Sequence, residues 1–142
     1  MRAAGFSLIE ALVAILLFSL GILAVIGLQA RSVADVGESR VRAQAAQLGA
    51  QLVARMRTDG QPPIDHALNA GSASGCAGGS SSSSNPAVSE WLVQVHSALP
   101  GASGLRQQVL VDAATGRVTV NLCWKSPAEA RPHNFMLRTQ LP

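Results

Sequence analysis

The first sixty residues carry two hydrophobic patterns in succession. Residues 11–30 contain no charged side chain, and a helix of that length can cross the roughly 30 Å hydrocarbon core of a bilayer. Apolar or small residues then recur at steps of three and four, which is typical of an amphipathic helix: Val33, Gly37, Val41, Ala45, Leu48, Leu52 and Met56. Because no proline interrupts residues 6–60, the pattern predicts one helix from about Phe6 to Thr58, which Gly60, Pro62 and Pro63 end.

A Gly/Ser-rich stretch separates this helix from the rest of the chain. Residues 71–85 have the composition of a flexible, exposed linker. Residues 85–101 predict a short helix that Asn85 can cap and that Pro100 and Gly101 end. We expect His96 of this helix to face solvent, and we expect its apolar face to be formed by Val88, Trp91, Leu92, Val95 and Leu99.

Three strands are predicted in the last third of the chain. They cover residues 105–112, 117–125 and 134–141, and the first two form a hairpin in which Gly116 suits a left-handed turn position. The second strand alternates cleanly, with Val118, Val120, Leu122 and Trp124 on one face and Thr119, Asn121 and Cys123 on the other. The fold class is therefore α+β: a long N-terminal helix packed on a small antiparallel sheet, with one short extra helix.

Composition and charge exclude several classes of function. The 142 residues carry a formal net charge of +3, without a block of Lys and Arg, and only 4% of them are aromatic, so nucleic-acid binding has little support. The acidic residues of the globular part are dispersed (Asp59, Asp65, Glu90, Asp112 and Glu129), and no nucleophile–base pattern or phosphate loop is present. We expect no enzymatic activity and no cofactor.

The two cysteines, Cys76 and Cys123, are far apart and form no CxxC motif. If the globular part lies outside the cytoplasm, they predict one structural disulfide. That bond would pin the Gly/Ser-rich loop over the outer face of the sheet or at a strand edge. The three histidines His66, His96 and His133 have no zinc-ligand spacing, so we expect no metal site.

The N-terminal apolar segment permits three interpretations. A cleaved secretory signal has a shorter apolar region and a small-x-small cleavage site, which this segment lacks. A plain membrane anchor fits the length, and Arg2 then places the N-terminus in the cytoplasm and the globular part outside. The anchor alone leaves Glu10 unexplained, because a carboxylate inside a membrane costs a few kcal/mol and usually has a partner. Attraction of Glu10 to the helix dipole is compatible with either role.

The third interpretation comes from a resemblance. The residues Gly5, Phe6, Ser7, Leu8, Ile9 and Glu10, followed by an apolar helix, resemble the class III signal of type IV pilins and pseudopilins. The resemblance implies that residues 1–5 are a prepilin leader, that a prepilin peptidase cuts between Gly5 and Phe6, and that the new Phe6 amine is methylated. It also implies an assembly charge pair between Glu10 and the amine of Phe6, in the same chain or in a neighbour. Many major pilins have a proline where this chain has Gly27, which argues against a typical major pilin.

The remainder of the chain resembles a narrower group. The Gly/Ser/Cys loop, the short helix ending in Leu99, Pro100 and Gly101, and the hairpin ending in Cys123 and Trp124 are similar to PilV-like minor pilins, known as type IV pilus modification proteins. This resemblance implies a lollipop layout: an assembly helix over 6–30, its amphipathic continuation over 31–58 and a globular domain over 59–142. Minor pseudopilins of type II secretion share the leader and helix and are the alternative; a plain membrane-anchored periplasmic protein is a further one.

The same resemblance implies a structural role in priming or modifying pilus assembly. Its partners would be other minor pilins, the major pilin, the prepilin peptidase and methyltransferase and, in some systems, a tip adhesin. Before assembly the chain would span the bacterial inner membrane once, with its globular domain in the periplasm. After assembly it would lie in the extracellular pilus.

Overall fold

A computed structural model describes residues 8–72, 75–127 and 129–141, with the side chains of 30–35 left out, and it shows the predicted α+β layout. A 51-residue helix, α1 (Leu8–Thr58), is followed by a second helix, α2 (Pro86–Ala98). Three strands then form an antiparallel sheet in the order β1-β2-β3: β1 (Gln108–Asp112), β2 (Arg117–Trp124) and β3 (His133–Gln140). Two 3₁₀ turns, Pro63–His66 and Ala102–Gly104, complete the described elements.

The contacts divide the chain into two compact units, Met1–Ser39 and Arg40–Pro142. In the first unit, every described side chain of α1 is exposed except that of Ala11, which is half-buried. In the second unit the remainder of α1 buries one face, formed by Ala45, Leu48, Leu52, Val53 and Met56. Four of these five residues belong to the predicted apolar stripe, and Thr58 ends the helix where the sequence predicts.

The core of the second unit is closed by α2 and the inner face of the sheet. The predicted apolar face of α2 is confirmed, since Val88, Trp91, Leu92 and Val95 are all buried. The indole N–H of Trp91 also donates to the carbonyl of Leu48, at 2.9 Å. A side chain on Gly49 would touch Leu122 of β2 at 3.4 Å, so this glycine allows α1 to lie close against the sheet.

Asn85 caps α2 as predicted. Its side-chain oxygen accepts hydrogen bonds from the amides of Ala87 at 2.9 Å and Val88 at 3.3 Å, two of the donors that a helix start leaves unpaired. The expectation that His96 faces solvent is wrong in one respect. Its Nε2 atom is buried and has no hydrogen-bond partner among the described residues, because the histidine lies on the half-buried flank of α2.

The predicted β1–β2 hairpin and the predicted faces of β2 are confirmed. Val118, Val120, Leu122 and Trp124 of β2 are buried against the helices. The strands β2 and β3 pair without interruption, from Arg117 opposite Gln140 to Trp124 opposite His133. β2 begins at Arg117 as predicted and ends one residue earlier than predicted, and β3 begins and ends one residue earlier than predicted.

The first strand is three residues shorter than predicted. It begins at Gln108 and not at residue 105, because Leu105 follows the 3₁₀ turn and pairs with Gly78 of the Gly/Ser-rich loop. At the β1–β2 turn, Gly116 has a φ of 67°, the left-handed conformation that the sequence predicts there. The hydroxyl of Thr115 and the amide of Ala114 bind Asp112 in this turn and hold the pKa of its carboxyl below the ordinary value.

Candidate functional site

The N-terminal helix contains one segment that could span a membrane. Among the described residues, only the 22-residue segment Leu8–Gln29 is long and apolar enough, and none of its side chains is buried. At a rise of about 1.5 Å per residue, such a segment spans about 33 Å. The predicted cleavage and methylation residues Gly5 and Phe6 lie outside the described residues.

Glu10 lies at the start of this segment. It is the acidic residue in the first described turn of α1, and its side chain is exposed. No hydrogen bond or ion pair joins it to another residue that the structure describes. Two residues before it and nineteen after it in the same segment are apolar, small or uncharged, so a bilayer around this helix would hold one carboxylate near its edge. A carboxylate in this position can bind a cation or an amine. Glu10 is thus the side chain of this segment that can take part in a charge interaction.

The glycines of the apolar segment lie on an open surface. A side chain placed on Gly21 or Gly27 would meet nothing within 4 Å. Both positions therefore allow another helix to approach the backbone closely, as small residues do in membrane helices. Ordinary helix packing and a locally softened helix are both compatible with this geometry.

The two cysteines are joined, as the sequence predicts. Cys76 and Cys123 form a disulfide with an S–S distance of 2.05 Å across 47 residues of sequence. Cys123 is completely buried and lies on the outer face of β2, and Cys76 is half-buried. The loop also pairs by backbone with the segment before β1, through Arg106 with Ala77 and through Gly79 with Gly104. It is therefore held both at the edge of the sheet and on its outer face.

A buried glutamine organises the loop around the disulfide. The side-chain oxygen of Gln107 accepts from the amide of Cys123 at 2.8 Å, and its Nε2 donates to the carbonyl of the same residue at 3.0 Å. The side-chain amide thus pairs with β2 in the way that a strand backbone would. The amide of Gln107 itself donates to the hydroxyl of Ser81, which is buried although the loop was expected to be exposed.

A second buried polar group was not predicted from the sequence. The ring of His66 is fully buried after the end of α1, where its Nε2 bonds to the carboxylate of Asp59 and its Nδ1 has no partner among the described residues. Burial opposes ionisation of Asp59, but the amide of Gln61 and the His66 ring together hold the pKa of this carboxyl below its ordinary value of 3.8. A histidine followed by Ala67 and Leu68 gives no periodic signal that would mark it as buried.

The sequence predicts that the histidines form no metal site. Within residues 8–72, 75–127 and 129–141, no three His, Cys, Asp or Glu side chains gather as a possible metal-ligand set. His66 is engaged by Asp59, and His133 lies 2.8 Å from the carboxylate of Glu129 and stacks on Trp124. These contacts join elements of the globular unit to one another.

Comparisons with known proteins match the N-terminal segment. Residues 1–26 match the family model of the prokaryotic N-terminal methylation motif. No curated protein and no solved structure matches the chain at a significant level. The motif supports a protein of the type IV pilin or pseudopilin kind and a structural role over an enzymatic one. Together with the apolar helix it is consistent with membrane anchoring.

Proposed function

We propose that this protein is a minor pilin of the PilV-like kind, which helps to prime or modify type IV pilus assembly. One observation carries the proposal. The N-terminal methylation motif over residues 1–26 overlaps an exposed apolar segment, Leu8–Gln29, in which Glu10 is the single acid. The remaining features of the chain, a small α+β unit and a disulfide-tethered loop, fit a subunit that contributes surface and not catalysis.

In the proposed mechanism, a prepilin peptidase removes residues 1–5 and leaves Phe6 with a new cationic amine, which is then methylated. Glu10 is four residues further along the helix, within reach of that amine in its own chain or in a neighbour. An unpaired charge inside lipid is costly, so a neighbour's amine and Glu10 attract each other strongly where subunits meet. The pair would then set the register between adjacent subunits.

The proposed partners and location follow from this mechanism. The precursor would sit in the bacterial inner membrane, with the N-terminus in the cytoplasm and the globular unit in the periplasm. It would then join other minor pilins and the major pilin, beside a tip adhesin where the system has one. The globular unit would supply lateral contacts in the assembled pilus.

The first test is the intact mass and N-terminal sequence of the chain, extracted from membranes without reductant. We expect a chain that begins at N-methylated Phe6 and is lighter by the two hydrogens of one disulfide. A Gly5→Asp variant is the matched control, since it should remain uncleaved and begin at Met1. A wild-type chain that still begins at Met1, in cells with an active prepilin peptidase, would leave only a membrane anchor.

The same cells distinguish the pilus from the secretion pseudopilus. Pili are sheared from the cell surface and the processed chain is measured in that fraction. Recovery of the chain with the fibres is the expected result. A processed chain that stays in the envelope, and whose deletion abolishes protein secretion with piliation unchanged, would assign it to a secretion system.

A further inference from the structure

The two edges of the sheet differ in whether other parts of the chain pair with them. Beside β1, Leu68 exchanges two backbone hydrogen bonds of 2.9 Å with Val109, and the Gly/Ser-rich loop pairs with the chain just before the strand. Beside β3, the Sγ atom of Cys76 lies 3.3 Å from the carbonyl oxygen of the first residue, His133. Along residues 134–140 no backbone hydrogen bond from the described residues reaches the outer edge, and no further strand follows in the sheet order. In an antiparallel sheet, alternate residues of such an edge direct their N–H and C=O groups outward.

The middle of the β3 edge also lacks some of the usual devices that block strand addition. Residues 134–140 pair with β2 without a bulge, and none of them is proline, whereas Pro132 directly precedes the strand. Natural proteins usually protect a long regular edge with a proline, a bulge or a covering element, because an open edge is a template for another chain. A regular edge of this length without a backbone partner therefore has the geometry of a surface that accepts an extended segment.

The side chains beside this edge favour a negatively charged partner. β3 itself contains no acidic residue, and its Arg138, exposed at the centre of the outer face, makes no hydrogen bond or ion pair with any of the described residues. The outer face forms a shallow depression of about 540 Å³, whose lining contains two arginines and no carboxylate: Gln108, Leu110, Arg117, Thr119, Asn121, Met136, Arg138, Thr139 and Gln140. Asp112 lies across from Arg117 and is bound within the β1–β2 turn, on the side away from β3.

We infer that the outer edge of β3 binds an extended acidic segment of another protein, which adds to the sheet as a fourth strand. The main-chain groups of β3 supply the pairing, and Arg138 faces a carboxylate on the same side of the added strand. A second copy of this chain fits less well, since two β3 strands would bring two arginines and no acid. The inference concerns the globular unit alone and does not depend on the proposed function.

The probe is a fluorescent decapeptide of alternating valine and glutamate, titrated into the detergent-solubilised full chain and followed by anisotropy. In an extended peptide of this pattern all glutamates lie on one face. Two further peptides carry N-methyl groups on alternate residues, one on the valines and one on the glutamates. Only one of these two sets of amides can face β3, because successive amides of a strand point in opposite directions.

We expect the unmethylated peptide to bind with a Kd below about 100 µM, and one methylated peptide to lose binding while the other retains it. Arg138→Glu should weaken binding by about fivefold or more, and the matched charge reversal Arg42→Glu, at an exposed position of α1, should leave it within about twofold. Retained near-ultraviolet circular dichroism would show that each variant is folded.

Three results would overturn the inference. The first is no binding of the acidic peptide to the folded wild-type chain. The second is equal binding of the two methylated peptides, which would contradict addition of the peptide as a strand of one fixed direction. The third is a dimer in detergent whose β3 amides are protected from hydrogen exchange without peptide, because that result would assign the edge to a second copy.

Discussion

Two glycines of this chain share a backbone conformation but differ in their surroundings. Gly116 and Gly60 have φ values of 67° and 69°, where a side chain is strained. A Cβ on Gly116 would also lie 2.3 Å from the carbonyl oxygen of Leu141, whereas a Cβ on Gly60 would meet nothing within 4 Å. The same substitution at the two positions therefore separates backbone strain from steric conflict.

We expect Gly60→Ala to destabilise the globular unit by about 1 kcal/mol and Gly116→Ala by about 2 kcal/mol or more. The additional loss at Gly116 arises because the Leu141 amide, which bonds to the Gly116 carbonyl, must move with its own carbonyl. Urea unfolding followed by fluorescence of the buried Trp91 and Trp124 measures both values. Equal losses would contradict the steric conflict.

Acid should weaken the contact between Asp59 and His66. The pKa of Asp59 is lower in the folded chain than its ordinary value of 3.8, so the unfolded chain binds this proton more readily. The stabilisation by Asp59 is thus complete above that ordinary value and is lost as the pH falls through the folded pKa. Asp59→Asn should reduce the dependence of the urea midpoint on pH below about 4, and Asp65→Asn in the neighbouring turn is the matched control. An unchanged dependence in Asp59→Asn would contradict the assignment.

Residues on strongly periodic elements were predictable, and residues on irregular ones were not. The buried face of α2 and of β2 follows from spacing alone, because each apolar residue there repeats at the period of its element. Val53 of α1 was missed because it flanks the stripe, and the sequence does not show how wide a face the sheet covers. His66 and Gln107 were missed because their burial depends on partners distant in sequence: Cys123 for Gln107, and the packing around the end of α1 for His66.

At the scale of elements, the largest difference between sequence and structure concerns β1. The sequence predicts a strand over residues 105–112, yet Gln107 pairs with Cys123 through its side chain and not through its backbone. A side-chain amide has the same donor and acceptor as a peptide group, so it can occupy a place in the sheet where the backbone turns away. The order of residue types along the segment does not reveal that a side chain takes the place of the backbone.

The disulfide should stabilise the globular unit mainly by restricting the unfolded chain. Closing a loop of 47 residues contributes roughly 4 kcal/mol in the chain-entropy model. We expect the urea midpoint to fall by a corresponding amount in the double variant Cys76→Ala/Cys123→Ala, with fluorescence as the readout. Wild-type protein in reductant is the control and should match the variant, because both lack the crosslink. A midpoint insensitive to both changes would contradict a structural role for the bond.

At the scale of the whole molecule, the two units carry different kinds of information. The unit Met1–Ser39 holds the methylation motif and the apolar helix, which are read directly from the sequence. The unit Arg40–Pro142 has a fold that patterning predicts, but its surface gives no motif, and the motif match ends at residue 26. The proposed surface on β3 depends on which edge is uncovered, and that is decided by the path of the loop and not by local sequence.

Glu10 links the chain to its assembly, so its prediction belongs to this scale. In Glu10→Ala we expect normal cleavage after Gly5 but strongly reduced recovery of the chain in sheared pili, because the helix loses its partner for a neighbouring amine. Glu38→Ala, which removes an acid from α1 outside the apolar segment, is the matched control and should assemble normally. Cleavage is checked by mass and recovery by immunoblot. Normal incorporation of Glu10→Ala would contradict the charge pair.

The serine run of the loop divides into two sets although its residues are identical. Ser81 and Ser83 accept hydrogen bonds from the amides of Gln107 and Asn85, while Ser80, Ser82 and Ser84 are exposed. An inserted serine would still leave one serine two positions after Gly79 and another two positions before Asn85. Repetition therefore makes this tether tolerant of changes in its length, since any copy can take over either anchoring role. In a more varied sequence, an insertion before Ser81 or after Ser83 would move one of the two hydroxyls away from its partner.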